Sequence, residues 1–439
     1  MSVDRRGFIG LAGASAAAIT LAACSGAGTG SGSDSGSGSG QEGDGTLQFW
    51  SNHPGGSKEL EQAMIDAWNE ANPDTPAALV SAGANYEELA QRVNAALTGG
   101  DLPDVFIASD VTWFNFALNE ATTPLDDLWT ENDIDSDDIV DTLREDYTFE
   151  DKHYGMPYCR STCLMYFNTD VLTAAGLPTD RGPETWQEFA EWAPKIVEAN
   201  DGKPALVVPD GANYLDWYFQ GMIWAFGGKY SEGWEPTFTY AEAVEAGTFL
   251  QEQVRAGHIA IDANASNTFA IGEASGLLQS TGSLGGLNDT ASAPFHTTFL
   301  PGPGPSCATG GAGLAIPAGI SDERKAIAVK FMDFITSTEN TITFTQATGY
   351  MPVRKSALEH PDEVAYLEEN PNAQTAIDQL AENTAPQDAA RVFVPGGGAR
   401  IGGGLDRITI GDEDVQTVFQ SLSDETQEVI ERDIEPLLG

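Results

Sequence analysis

The chain has 439 residues, 41% hydrophobic and 9% aromatic, and its 66 Asp and Glu against 21 Lys and Arg give a formal charge of −45 at pH 7. A field of that sign repels nucleic acid and anionic lipid, which excludes both as partners, and it obliges an anionic ligand to find a locally positive site. The length is too great for one compact core and suits two domains.

Residues 1–24 come first. Asp4-Arg5-Arg6-Gly7-Phe8-Ile9 is a twin-arginine start, and the apolar run behind it ends in the lipobox Leu21-Ala22-Ala23-Cys24. No stop-transfer flank follows, so the run reads as a processed export signal with a lipid on Cys24. The expectation is an extracytoplasmic protein anchored to the cell membrane through that cysteine. Residues 25–45 are almost all Gly, Ser and small polar side chains. Such a segment cannot bury enough apolar area to order itself and reads as a tether.

The folded part opens with a short alternating strand over Thr46–Trp50. Leu60, Met64, Ala67, Trp68 and Ala71 recur at helical spacing until Pro73 stops the helix. A strand over Ala77–Val80 follows, then a helix with Leu89, Val93, Ala96 and Leu97 on one face, ended by Gly99-Gly100. Pro103-Asp104-Val105-Phe106-Ile107 gives a third strand. This β-α-β-α-β order predicts an α/β fold whose sheet is mainly parallel, with helices on both faces. Further on, Thr185-Trp186-Gln187-Glu188 is a capping box with Phe189, Trp192 and Ile196 as the apolar stripe behind it. The aromatics from Tyr214 to Phe226 read as core. A helix starts near Ser321 with Ile327, Phe331 and Phe334 inward. The last third carries Gly396-Gly397-Gly398 and Gly402-Gly403-Gly404, then a final helix from Val415.

Cys159, Cys163 and Cys307 are an odd number of thiols for an oxidising compartment, which allows one bridge and one free thiol. His53, His153, His258, His296 and His360 are scattered without metal-ligand spacing, so no metal and no cofactor is expected. The absence of a Gly-x-Ser-x-Gly elbow and of a His-Glu-x-x-His helix argues against an enzyme.

Five segments carry a family resemblance: Gly100-Asp101-Leu102-Pro103-Asp104-Val105, Tyr166-Phe167-Asn168-Thr169-Asp170 with Ala175-Gly176-Leu177-Pro178, Glu184-Thr185-Trp186-Gln187-Glu188, Phe331-Met332-Asp333-Phe334, and Thr348-Gly349-Tyr350-Met351-Pro352-Val353. Together the chain resembles the extracellular solute-binding proteins of ABC importers, and within them the glycerol-3-phosphate and glycerophosphodiester binders. The resemblance implies a type II periplasmic-binding-protein-like architecture, with two hinged lobes that close on a small solute. It also implies a monomer that does no chemistry and hands its solute to ABC permease subunits. Lobe 1 is expected over 46–157 and 295–347, and lobe 2 over 158–294 and 348–439.

The same resemblance assigns ligand-binding roles. Tyr86, in Asn85-Tyr86-Glu87, offers a phenol. Asp110 accepts from glycerol hydroxyls with a shorter side chain than the family's glutamate. Ser161 and Ser280 are the pocket serines, and Gly311 presents a backbone amide to phosphate. Tyr350 is the second tyrosine, and Arg407 pairs with phosphate, with Arg400 as the fallback in an uncertain register. Tyr214 and Trp217 are candidates to pack the glycerol. If Leu215 lines the pocket instead, there is room for glycerophosphocholine. Arg160 points away from the face shared by residues 159, 161 and 163 and is either structural or an added positive charge. The competing expectation is a sugar or oligosaccharide cargo, held by aromatic stacking and acidic hydroxyl acceptors.

Overall fold

The computed structural model describes residues 45–437. The export signal, Cys24 and all but the last residue of the expected tether lie outside the described residues.

The framework strands are β1 (Leu47–Ser51), β2 (Ala77–Ser81), β3 (Val105–Ser109), β4 (Met156–Ser161), β5 (Cys163–Asn168), β6 (Leu206–Val208), β7 (Ile259–Ile261), β8 (Gly276–Ser280), β9 (Phe295–Thr298), β10 (Cys307–Ala308) and β11 (Gly310–Ala315). One five-stranded sheet has the order β2-β1-β3-β11-β4. In it β1 runs parallel to β2 and β3, while β11 runs antiparallel to β3 and β4. The other has the order β7-β6-β8-β5-β9, with β6 parallel to β7 and β8 and with β5 antiparallel to β8 and β9. Each sheet anchors its own apolar core, so the molecule has two lobes. β3 is buried at every position, as a central strand covered on both faces must be.

The expected helices form at Lys58–Ala71, Tyr86–Gly99, Trp186–Ala199, Asp322–Ile335 and Val415–Val429. Thr185 Oγ1 accepts from the Glu188 N–H at 3.0 Å, the first half of the expected capping box. The second half is displaced by one residue. Glu188 Oε2 takes the N–H of Glu184 at 2.6 Å, while Oε1 is held by Arg181 at 2.7 Å. The glycine runs of the last third do not make a loop. Gly397–Thr409 is a helix, and its glycines let it approach its neighbours closely. At Gly402 an added Cβ would lie 2.7 Å from the Gly211 carbonyl oxygen.

The lobe boundaries expected from sequence are corrected by the strand pairing. β4 runs to Ser161 inside the first sheet, so the chain crosses at Thr162 and not after residue 157. β9 pairs with β5 in the second sheet, so residues 295–298 belong to lobe 2. The return to lobe 1 falls at Thr309, between β10 and β11. Past residue 347, Met351 still bridges to Arg160 and Arg354 to Ile139, and Ile430 and Ile434 finish in the first core. The physical reason is that residues 156–167 are buried without a break, polar Arg160-Ser161-Thr162 included, so no exposed loop marks the change of sheet.

Candidate functional site

The expected site residues gather where the chain passes between lobes. β4 and β5 are separated only by Thr162, and β10 and β11 only by Thr309. Ser161, at the end of β4, is buried and pairs in register with Gly310. Asp110, just beyond β3, donates its own N–H to the Gly311 carbonyl at 3.0 Å. Gly311 has φ +90°, and a Cβ there would lie 2.0 Å from the Cys159 carbonyl oxygen. Only glycine fits both the left-handed backbone and the close strand approach.

Two tyrosines come from lobe 1. Asn85 caps the helix Tyr86–Gly99 by accepting from the Glu88 N–H at 2.9 Å, which sets Tyr86 at its first position. The Tyr86 hydroxyl reaches Cys159 Sγ at 3.6 Å. Tyr350 stacks on Phe344 with ring centroids 5.8 Å apart. Its ring lies so close to Gly282 that a Cβ there would meet it at 2.7 Å. Gly282 in turn donates its N–H to Ser280 Oγ at 3.1 Å, which leaves the serine proton for another acceptor. Burial raises the pKa values of Tyr86 and Tyr350, so both hydroxyls remain donors at neutral pH.

Lobe 2 supplies the facing side. Tyr214 sits at φ 73°, an uncommon left-handed conformation for a bulky residue, as the N-cap of the helix Leu215–Ala225. From there its ring reaches to 6.5 Å from that of Tyr86, and its hydroxyl donates to Glu87 at 3.1 Å. Trp217 donates its indole N–H to the Thr309 carbonyl at 3.3 Å and covers Gly310. Leu215, between them in sequence, is buried and packs in the core of lobe 2 beside Trp217.

Neither arginine named from sequence is in this group. Arg407 is 39% exposed and pairs with Glu413 at 2.8 Å. It occupies the outer face of its helix, because Ile401, Leu405 and Ile408 take the inner one. Arg400 donates to Thr426 Oγ1 and to the Pro395 carbonyl, both at 3.2 Å, and its Nη2 is buried without a partner. The guanidinium at the cluster is Arg391, on the short helix Ala389–Val392 and 2% exposed. Its Nε donates to Asp216 Oδ2 at 2.6 Å, and its Nη1 reaches Asp110 Oδ2 at 3.0 Å. Gln387 Nε2 donates to the same Asp110 oxygen at 2.6 Å. Arg391 thus ties a lobe 2 helix to the tip of a lobe 1 strand. Burial disfavours its charge, but Asp216 and then Asp110 outweigh that and raise its pKa further. Burial pushes the Asp216 carboxyl up to about 6, with Arg391 pulling the other way.

The sequence did hold a signal for Arg391. It is a lone cation in Ala389-Ala390-Arg391-Val392-Phe393-Val394, whereas Arg407 is followed closely by Asp412, Glu413 and Asp414. In so acidic a chain, a cation surrounded by apolar neighbours is the one that cannot be a surface ion-pair partner. Arg160 is buried, and it pairs with Asp146 at 2.5 Å and donates to the Tyr147 hydroxyl at 3.0 Å. Beyond Asp110 lies a cavity of about 430 Å3, lined among others by Trp113, Tyr147, Arg160, Thr309, Gln387 and Phe393. It shares Asp110 with the cluster, whereas Tyr86, Ser280 and Tyr350 stand outside its lining.

The arrangement offers hydroxyl donors, one buried guanidinium and a carboxylate acceptor, drawn from both lobes. It can hold a polar solute that carries both hydroxyls and an anionic group. Residues 63–375 match the family described as bacterial extracellular solute-binding protein. The sn-glycerol-3-phosphate-binding periplasmic protein UgpB of Salmonella typhimurium is 26% identical over 395 residues, spanning 85% of this chain and 87% of its own. Among solved structures, UgpB from Mycobacterium tuberculosis in complex with glycerophosphocholine is 43% identical and superposes with a TM-score of 0.86 over 89% of this chain and all of its own. The GacH receptor of Streptomyces glaucescens, solved unliganded and with acarbose, shares the fold at 19% identity, with a TM-score of 0.76 over 89% of this chain and all of its own.

Proposed function

The chain belongs to the bacterial extracellular solute-binding proteins, and we propose that its solute is a glycerophosphodiester such as glycerophosphocholine. Proteins of this family bind a small molecule without transforming it and pass it to the membrane permease subunits of an ABC importer; this chain is accordingly a binding protein, not an enzyme.

The observation that carries the solute assignment is the buried Arg391 held between Asp110 and Asp216. A carboxylate beside a guanidinium matches a ligand that has hydroxyl donors next to phosphate acceptors. Asp110 accepts from the glycerol hydroxyls, Arg391 donates to phosphate oxygens, and Tyr86, Tyr350, Ser161 and Ser280 add neutral donors around them. The Gly311 turn keeps backbone close to the ligand.

Charge decides between ester types. Two carboxylates against one guanidinium leave the cluster with a net negative charge before any ligand arrives. A phosphomonoester brings nearly two further charges and a diester one, so the diester meets less repulsion. The high identity to a protein crystallised with glycerophosphocholine supports the same choice.

Calorimetry with glycerophosphocholine, glycerol-3-phosphate and maltose tests this. Glycerophosphocholine binds tightest. Arg391→Ala removes about 2–5 kcal/mol of that binding, because it leaves Asp216 and the phosphate without their partner. Arg407→Ala changes affinity by less than about twofold, as an exposed pair contributes little. Maltose binding that ignores Arg391→Ala supports the second reading, a sugar cargo. That reading draws on the aromatic and acidic lining of the cavity beyond Asp110. We also propose export by the twin-arginine route and a lipid anchor on Cys24; an intact mass of the membrane-bound protein that starts at an acylated Cys24 is the expected outcome.

A further inference from the structure

We propose that Cys163 and Cys307 form a disulfide that joins the two chain crossings on the lobe 2 side of the hinge. Cys163 opens β5 one residue after the first crossing, and Cys307 opens β10 two residues before the second. Cys307 Sγ accepts from the Cys163 N–H at 3.1 Å, and its S–H reaches the Cys163 carbonyl at 3.7 Å. With an N–Cα bond of about 1.46 Å, the Cys307 sulfur is within about 4.6 Å of the Cys163 Cα, a distance that the Cys163 side chain and an S–S bond of about 2.04 Å can span.

The third thiol is turned away. Cys159 Sγ faces the Tyr86 hydroxyl at 3.6 Å and the Ala312 carbonyl at 3.8 Å, both in lobe 1. This resolves the odd count into one pair and one single thiol. A family that works outside the cytoplasm meets an oxidising environment, in which a paired dithiol persists as a disulfide.

The oxidant is a disulfide, of a small molecule or of an oxidoreductase. The thiolate of one cysteine attacks it and expels one thiol, leaving a mixed disulfide. The second cysteine then attacks the protein sulfur of that bond and expels the other half. Two protein thiols are oxidised, the oxidant disulfide is reduced to two thiols, and the two protons pass to those leaving groups. Both cysteines are buried, so exchange proceeds through local opening of the crossings. Once formed, the bond fixes the lobe 2 ends of both crossings and leaves Thr162 and Thr309 as the bending points.

The test uses the full chain equilibrated in a glutathione redox buffer with enough urea to promote local opening, then alkylated and digested without reductant. The expected result is a linked pair of peptides containing Cys163 and Cys307, with Cys159 in an unlinked peptide. The oxidised protein melts about 5 °C above the reduced one. Cys307→Ser loses both linkage and shift, and Cys159→Ser keeps both. Alkylation of Cys159, Cys163 and Cys307 alike after oxidation, or a Cys159–Cys163 link, overturns the proposal. Should Cys307→Ser fail to fold, the peptide map of the unaltered chain decides alone.

Discussion

At Asp216 and Asp388, burial converts ordinary carboxylates into groups that sense pH. Asp388 accepts from the Tyr230 N–H at 2.9 Å and the Trp224 indole at 3.3 Å, and burial still pushes its carboxyl up to about 6. Its unfolded value is about 3.9. A carboxyl raised on folding favours the protonated native state, so its contribution to stability is full below about pH 4 and is lost as pH rises through 6. The gap in unfolding free energy between the natural chain and Asp388→Asn therefore shifts in favour of the natural chain as pH falls from 6 to 4, measured by urea titration at each pH. A gap independent of pH contradicts the raised carboxyl. Single residues were also where sequence reading failed. Tyr86, Asp110, Ser161, Ser280, Gly311 and Tyr350 lie near the lobe crossings. Arg391 was missed because its role depends on Asp110 and Asp216, both more than 170 residues distant along the chain. No local pattern records such a partnership.

Among the elements, the early β-α-β-α-β order and the capped helices were legible because each rests on short-range periodicity and N-cap chemistry. The helix Gly397–Thr409 was not, because five of its residues are glycines, which weaken a helix when taken one by one. Packing overrides that penalty, and it does so unevenly along the helix. Around Gly403 nothing lies within 4 Å of an added Cβ, whereas at Gly402 that atom would press on the Gly211 carbonyl at 2.7 Å. Gly403→Ala is expected to stabilise by about 0.5–1 kcal/mol through helix propensity alone. Gly402→Ala is expected to destabilise by about 1–3 kcal/mol, because backbone must move to admit the methyl. Thermal and urea unfolding of the two variants side by side checks the sign of each.

For the whole molecule, two lobes were readable from length and strand–helix order, but their limits were not, since each crossing, at Thr162 and at Thr309, is a single buried residue between two strands rather than an exposed loop. Contacts between lobes include the polar pairs Arg391 with Asp110 and Tyr214 with Glu87, Tyr350 against Gly282, and aromatic rings such as Phe114 with Trp234. A ligand that engages both sides adds to these and favours the closed form by its differential affinity. Small-angle scattering is expected to show compaction on saturation with glycerophosphocholine. The compaction should be absent in Arg391→Ala at the same ligand concentration, and an unchanged radius in the natural chain argues against hinge closure.

Trp217 adds a practical consequence. Its indole N–H is given to the Thr309 carbonyl and its ring lies over Gly310, at the point where the chain passes from one lobe to the other. Rotation there alters the polarity and the hydrogen bond that the indole experiences. The molecule therefore carries an intrinsic optical probe, and a ligand-dependent change in emission that is lost in Trp217→Phe, against the background of the eight other tryptophans, is the expected sign of occupancy.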